Sequence, residues 1–192
     1  MATYNKDIII IEGPSGVGKD TIIDEIIRRY PNIFERPINA TTREMRENES
    51  QGHPYLFMTE EEFMNLRKSG EIFEHTIRHG TYRGMRKSNF EEIHNKDMIA
   101  IRDCDKFGLS ALKEEFGDRV LGIFLTVDKE VIENRLRGRN EPEESLRNRL
   151  LDYDICVKDA YFFDYVIENV EINSTIDQIL YIINKYNKTS IN

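Results

Sequence analysis

Short apolar runs alternate along this chain with segments in which hydrophobic residues recur every three or four positions. Four runs, residues 7–12, 97–102, 120–127 and 163–168, are rich in isoleucine, valine, leucine or aromatics. Runs this short and this continuously apolar suit strands buried on both faces, so their alternation with helices predicts an α/β fold with a parallel central sheet. After the first run, Ile22, Ile23, Ile26, Ile27 and Tyr30 make one helical face, which Pro31 stops. Thr59 with Glu62, and Ser88 with Glu91, have the spacing of capping boxes. Pro142 suits the first turn of a helix whose apolar face runs through Leu146, Leu150, Tyr153, Val157, Ala160 and Tyr161. A last helix is expected after Ser174, with Ile176, Ile179, Leu180, Ile183 and Tyr186 on one side. Residues 39–58, polar and turn-rich, and residues 128–150, with clustered arginines, break the alternation and suit insertions that close over a ligand.

A chain of 192 residues is enough for one domain, and 39% hydrophobic with 32% charged residues is an ordinary globular balance. The net charge of −8 argues against a protein that coats nucleic acid or an anionic membrane, but leaves room for a small basic pocket. The apolar run at residues 8–11 is flanked by Asp7 and Glu12 and fits neither a signal peptide nor a membrane span. Cys104 and Cys156 are too few for a zinc site built from cysteines. Together these features predict a cytoplasmic protein, monomer or homodimer, with no nucleic-acid or membrane partner.

The sharpest signal is Gly13, Pro14, Ser15, Gly16, Val17, Gly18, Lys19, Asp20 and Thr21, placed directly after a strand and before a helix. That is the context of a phosphate-binding loop: glycines let backbone N–H groups turn around phosphate oxygens, the helix N-terminus adds positive partial charge, and Lys19 reaches the β- and γ-phosphates. A plain tight turn would need the glycines but not the lysine. Asp20 stands where a serine or threonine hydroxyl normally meets Mg²⁺; a carboxylate can ligate the metal too, at the cost of a negative charge beside the phosphates. A second constellation, Arg43, Arg46, Glu49, Gly52 and Tyr55, offers two guanidinium forks and a phenol for a phosphate.

Four blocks, GPSGVGKDT, TTREMRENESQGHPYLF, IFEHTIRHGTYRGM and GRNEPEESLRNRL, follow one another in the order and spacing of guanylate kinases, and the chain resembles that family from about residue 7 to about residue 186. The resemblance implies a P-loop nucleoside monophosphate kinase fold and ATP-dependent, Mg²⁺-requiring phosphorylation of GMP or dGMP. It implies a core of residues 1–38, 87–127 and 151–192, an acceptor-binding insertion at 39–86 and a helical lid at 128–150. Arg43, Arg46 and Tyr55 would hold the acceptor phosphate, and Glu74 and Asp105 would accept the N1–H and N2–H donors of guanine. Asp103, at a strand end, would join Asp20 near the metal. Arg139 and Arg149 would be lid arginines over the transferring phosphoryl group, assisted by Arg135, and Asn169 would touch adenine. Lys19, Arg43, Arg139 and Arg149 are then the expected catalytic set.

Three positions depart from that pattern. Asn39 and Met85 stand where the family usually has base-reading serines, and Arg83 where it usually has a second phosphate-binding tyrosine. An extra arginine favours an acceptor with more negative charge, and Gly-Lys-Asp followed by a hydroxyl residue resembles the loop of ribose 1,5-bisphosphate phosphokinases. Two alternatives therefore stand beside GMP: a different phosphorylated acceptor such as ribose 1,5-bisphosphate, and a non-catalytic binding module.

Overall fold

Four consecutive isoleucines make sense only in a strand covered on both faces. In the computed structural model, which describes residues 4–138, 143–187 and 191, strand β1 (Ile8–Glu12) holds all four completely buried. Because successive side chains point to opposite faces, Ile9 and Ile11 pack with Ile22, Ile23 and Ile26, while Ile8 and Ile10 pack with Phe90, Leu109 and Phe124. The first three partners lie on helix α1 (Lys19–Arg29).

The sheet around β1 also contains β2 (Phe34–Glu35), β7 (Ile99–Asp103), β8 (Val120–Thr126) and β9 (Tyr165–Glu168). Its order is β2-β7-β1-β8-β9 and every pairing is parallel, as the alternation predicts. β1 sits between β7 and β8, so chain connections leave it in both directions. In such sheets the crevice outside the strand carboxyl ends, at this reversal, is where ligands bind. Helices α3 (Lys87–Asn95), α4 (Lys106–Phe116), α5 (Lys129–Arg137), α6 (Glu143–Cys156) and α7 (Ile172–Tyr186) complete the layers.

A second sheet, order β4-β3-β6-β5, is built from β3 (Ala40–Thr41), β4 (Leu56–Phe57), β5 (Ile72–Arg78) and β6 (Thr81–Arg86). It carries its own small core of Ala40, Phe63 and Ile72 under helix α2 (Glu60–Lys68). The Thr59–Glu62 capping box is present: Thr59 Oγ1 accepts from Glu62 N–H at 3.2 Å and Glu62 Oε2 accepts from Thr59 N–H at 2.8 Å.

Several boundaries differ from expectation. β7 begins two residues late because Asp97 adopts a left-handed φ of 57°. Ser88 and Glu91 form no capping box: α3 starts earlier, Ser88 Oγ donates to Glu71, and Glu91 accepts from Arg119. α6 stops at Cys156 and residues 157–162 tighten into a 3₁₀ helix, so Tyr161 leaves the apolar face and is 91% exposed. α7 begins ahead of Ser174 because Glu171 caps it, accepting from Asn173 N–H and Ser174 N–H. β9 starts at Tyr165, since Phe163 still closes the 3₁₀ turn. Pro142 lies outside the described residues.

Below β1, Asp7 is almost fully buried and takes a two-pronged bond from Arg119, Nε at 2.9 Å and Nη2 at 2.8 Å, beside His94. Removing one member of a buried pair strands the other. Asp7→Ala should therefore lower unfolding free energy by about 3 kcal/mol in equilibrium urea denaturation. A loss below about 1 kcal/mol would show that water replaces the carboxylate at Arg119.

Candidate active site

Between β1 and α1 the chain must turn sharply under β8. A Cβ on Gly13 would lie 2.2 Å from Leu125 O, so glycine is obligatory there. Gly18 precedes the helix with φ 104°, again a glycine conformation. Lys19 folds back over the loop: its Nζ donates to Gly13 O and, at 3.4 Å, to Pro14 O, and lies 3.8 Å from Glu12 Oε1. The lysine charge is thus held among acceptors that phosphate oxygens can replace. Arg149 Nη1 donates to Ser15 Oγ at 2.6 Å, which brings α6 onto the loop. Arg135 donates to Val17 O at 3.1 Å and Asn169 O at 3.2 Å. Asp20 and Thr21 are exposed in the first turn of α1.

Asn169 departs from its expected role. It is 3% exposed, its Nδ2 donates to Val17 O at 2.7 Å and its Oδ1 accepts from Thr175 Oγ1 at 2.8 Å. Its side chain braces the phosphate loop from behind, because burial commits both ends of the amide to protein partners. Arg139 lies outside the described residues.

A cleft of about 500 Å³ opens beside the loop, large enough for a small ligand. Lys19, Asn39, Tyr55, Glu74, Arg83, Met85, Asp103 and Asp105 line it, as do Glu12, Arg36 and Arg102, which the sequence patterns did not single out. At one corner the Tyr55 ring lies under both Arg83 Cζ, 5.2 Å away, and Arg43 Cζ, 5.6 Å away. Arg43 is oriented by Glu49 at 2.8 Å and by Glu44 O at 2.7 Å. The Nε atoms of Arg43 and Arg83 are shut off from solvent with no hydrogen-bond partner among the described residues. Buried donors left unpaired are costly, so an anion that drew either guanidinium round toward it would relieve that cost. Arg46 is not brought to the cleft: its side chain is exposed, and its backbone N–H donates to Glu49 Oε2.

The cleft also carries acceptors. Asp105 caps α4, its Oδ1 taking Phe107 N–H at 3.0 Å and Gly108 N–H at 2.9 Å, which leaves Oδ2 for a ligand. Glu74 stands on β5 opposite Met85 of β6, and burial pushes its carboxyl above the usual range against the pull of Arg102. Met85 is almost completely buried and offers no donor. Near the loop, Arg36 Nη1 lies 3.6 Å from Asp20 Oδ1 and 3.7 Å from Asp103 Oδ1. Two carboxylates thus converge on one positive charge. No cluster of three or more His, Cys, Asp or Glu suited to a metal occurs among the described residues. The Asp20 and Asp103 carboxylates are a donor pair that would suit Mg²⁺ if substrate phosphates and water supplied the rest.

The family model for guanylate kinase matches residues 5–186. The chain belongs to the guanylate kinase family. It is 34% identical over 179 residues to the guanylate kinase of Prochlorococcus marinus (strain MIT 9312), covering 93% of this chain and 97% of that protein. It is 34% identical over 181 residues to the guanylate kinase of Fusobacterium nucleatum subsp. nucleatum, covering 92% and 95%. The crystal structure of guanylate kinase from Anaplasma phagocytophilum aligns with a TM-score of 0.67 at 26% identity, over 99% of this chain and 89% of that one. As a member of the guanylate kinase family, the chain is a nucleotide-binding phosphotransferase with ATP as co-substrate.

Glu12 ends an otherwise apolar strand immediately before the phosphate loop, a placement that the run IIIIE displays. Burial raises its pKa to about 7, more than Lys19 lowers it, with Asp103 and Asp105 adding repulsion. The group is fully favourable only while protonated, so stability is present below the unfolded value near 4.5 and is lost as pH rises to about 7. Glu12→Gln should escape that loss and be more stable than the parent by about 2 kcal/mol at pH 8, with little advantage at pH 4. Urea unfolding at both pH values checks this, and a pH-independent difference would contradict it.

Proposed function

We propose that the chain transfers the γ-phosphoryl group of ATP to GMP or dGMP, yielding ADP and GDP or dGDP. One observation carries this reading: a single cleft is lined by Lys19 of the loop, by Tyr55 and Arg83, and by the Glu74 and Asp105 carboxylates, with Arg43 stacked on the same Tyr55 ring as Arg83. Guanine presents N1–H and N2–H donors to such acceptors, where adenine presents none at N1.

In this reading Lys19 and the loop N–H groups hold the β- and γ-phosphates of ATP. Arg43, Arg83 and Tyr55 hold the GMP phosphate so that its oxygen attacks in line, with Arg46 reaching in on closure. Arg149, already on Ser15, and Arg139 meet the charge that develops on the equatorial oxygens; arginines in that role contribute about 10³–10⁵ in rate. Arg135 keeps Val17 and Asn169 in place behind the loop. Asp20 and Asp103 would hold Mg²⁺, which neutralises phosphate charge when bound. Catalysis is mainly positioning and charge neutralisation, and no covalent enzyme intermediate is needed. Residues 39–86 act as the acceptor-binding insertion and 128–150 as the lid on the core formed by the remaining segments. No helix among the described residues is long and apolar enough to cross a membrane, and the cytoplasm suits a kinase of free nucleotides.

A second reading takes ribose 1,5-bisphosphate as acceptor. Arg83, with its unpartnered Nε, and Asp20 in the loop favour it.

Coupled ADP release from Mg·ATP with GMP, dGMP, IMP, AMP, CMP, UMP, dTMP and ribose 1,5-bisphosphate separates these readings. Turnover confined to GMP and dGMP is expected; turnover of the bisphosphate alone would overturn the proposal. Lys19→Ala should reduce turnover by about 10²–10³ with the fold intact, and near-normal turnover would remove the loop from the chemistry. Glu74 can accept a guanine donor at each oxygen only as the carboxylate, and its raised pKa brings protonation closer to neutrality. KM for GMP should therefore climb as pH falls through a point above the usual carboxylate range, and Glu74→Gln should flatten that limb.

A further inference from the structure

The base end of the cleft has acceptors for guanine's donors, Glu74 and Asp105, but guanine also presents two acceptors, O6 and N7. The positions that resemblance assigns to base-reading serines hold Met85, which cannot donate, and Asn39. What the structure places beside Asn39 is Arg102, near the end of β7. Its Nε donates to Asp103 O at 3.1 Å and its Nη1 to Asn39 Oδ1 at 2.5 Å.

Arginine has donors only, so the atom of the Asn39 amide that faces it must be the oxygen. That fixes the flip of the side chain and leaves the two Nδ2 hydrogens as the donors Asn39 can offer a ligand. Arg102 itself lines the cleft, is partly buried, and has no carboxylate within ion-pair distance among the described residues. Its Nη2 hydrogens likewise have no protein acceptor there. Glu74 attracts this guanidinium without accepting a hydrogen bond from it, so the Nη2 hydrogens stay open toward the cleft for an acceptor supplied by a ligand. Guanine O6 and N7 sit side by side in the spacing of an arginine fork, the pairing that proteins use most often to recognise this base.

We infer that Arg102 is a specificity-determining residue of the acceptor site: its guanidinium donates to guanine O6 and N7 directly and orients Asn39 to donate Nδ2–H to O6. This rests on GMP being the acceptor. The cleft then matches guanine on both edges, with carboxylates for N1–H and N2–H and the Arg102–Asn39 pair for O6 and N7. Adenine is rejected twice, since its 6-amino group would meet donors and its N1 would meet a carboxylate.

The test pairs a side-chain change with a single-atom change in the substrate. Steady-state kcat and KM are measured for GMP and for 7-deaza-GMP, which lacks only the N7 acceptor, with the parent enzyme and Arg102→Met. The parent should lose about tenfold in kcat/KM on the deaza analogue, while Arg102→Met should lose about 10- to 100-fold on GMP and then discriminate less than about twofold between the two substrates. The loss should fall on KM for GMP, with KM for ATP unmoved. Arg102→Lys keeps the positive charge beside Glu74 but lacks the fork. It should fall between the two in GMP affinity, and it carries the same comparison where Arg102→Met does not fold. An N7 penalty that persists at full size in the variants would overturn the inference while leaving GMP phosphorylation standing. Absence of GMP turnover by the parent would instead overturn the acceptor reading, and this inference with it.

Discussion

The parallel pairing of β1 with β7 and β8 is the constraint from which the site follows. Register sets Ile11 beside Asp103 and Glu12 beside Phe124, so the chain leaves the sheet on the same edge in neighbouring strands. The turn that follows has no room for a Cβ at Gly13, since Leu125 O of β8 occupies that space. The phosphate loop is therefore shaped by the strand next to it as much as by its own glycines. Asn169 and Arg135 then hold it from behind through the carbonyl of Val17.

Charge is the second organising element. A chain of net charge −8 concentrates Lys19, Arg36, Arg83 and Arg102 in one cleft among Glu12, Glu74, Asp103 and Asp105. The groups fall into sets. Arg43 and Arg83 stack on Tyr55, Arg102 acts on Glu74 with Asp105 nearby, and mixed pairs occupy the stretch beside the loop. Such sorting gives a phosphorylated base one favourable orientation: phosphate toward the arginines, donor edge toward the acids.

The parts of this design that were legible in the sequence are those with a period or a fixed spacing. The four isoleucines of β1, the apolar stripe of α1 and the spacing from Gly13 to Lys19 each state a local structure that burial then enforces. The second sheet was hidden because β3 and β4 have two residues each, too few to show alternation. Its hydrophobic anchor, Phe63, comes from the neighbouring helix. Helix starts at α3 and α7 were misplaced because residues two and three positions earlier stand at the N-cap, and a Glu at the N-cap of α7 is not the usual signal. Arg36 and Arg102 carried no motif; an arginine in a strand or loop reads as solvated surface until the fold turns it into a cleft. Asn169 failed in the opposite sense, since position after a strand does not reveal that the amide is enclosed.

Burial also divides the cleft into a fixed end and an adjustable one. Asn39, Arg102, Glu74 and Asp105 are tied to strand, helix cap or one another, so these groups hold their geometry before a ligand arrives. Beside the loop, Arg36 is shared among Asp20, Asp24 and Asp103, and Asp20 is 78% exposed. Ion pairs that open to water are worth little, on the order of 1 kcal/mol or less. Arg36 can therefore give up Asp20 and Asp103 to a divalent cation at small cost and keep Asp24. On the proposed reading the rigid part would suit rejection of the wrong base, where an unpaired buried group is expensive, and the loose part would suit triphosphate and a divalent metal, whose charge changes over a turnover. An acid at position 20 is tolerable on this account because an arginine that can swing away stands beside it.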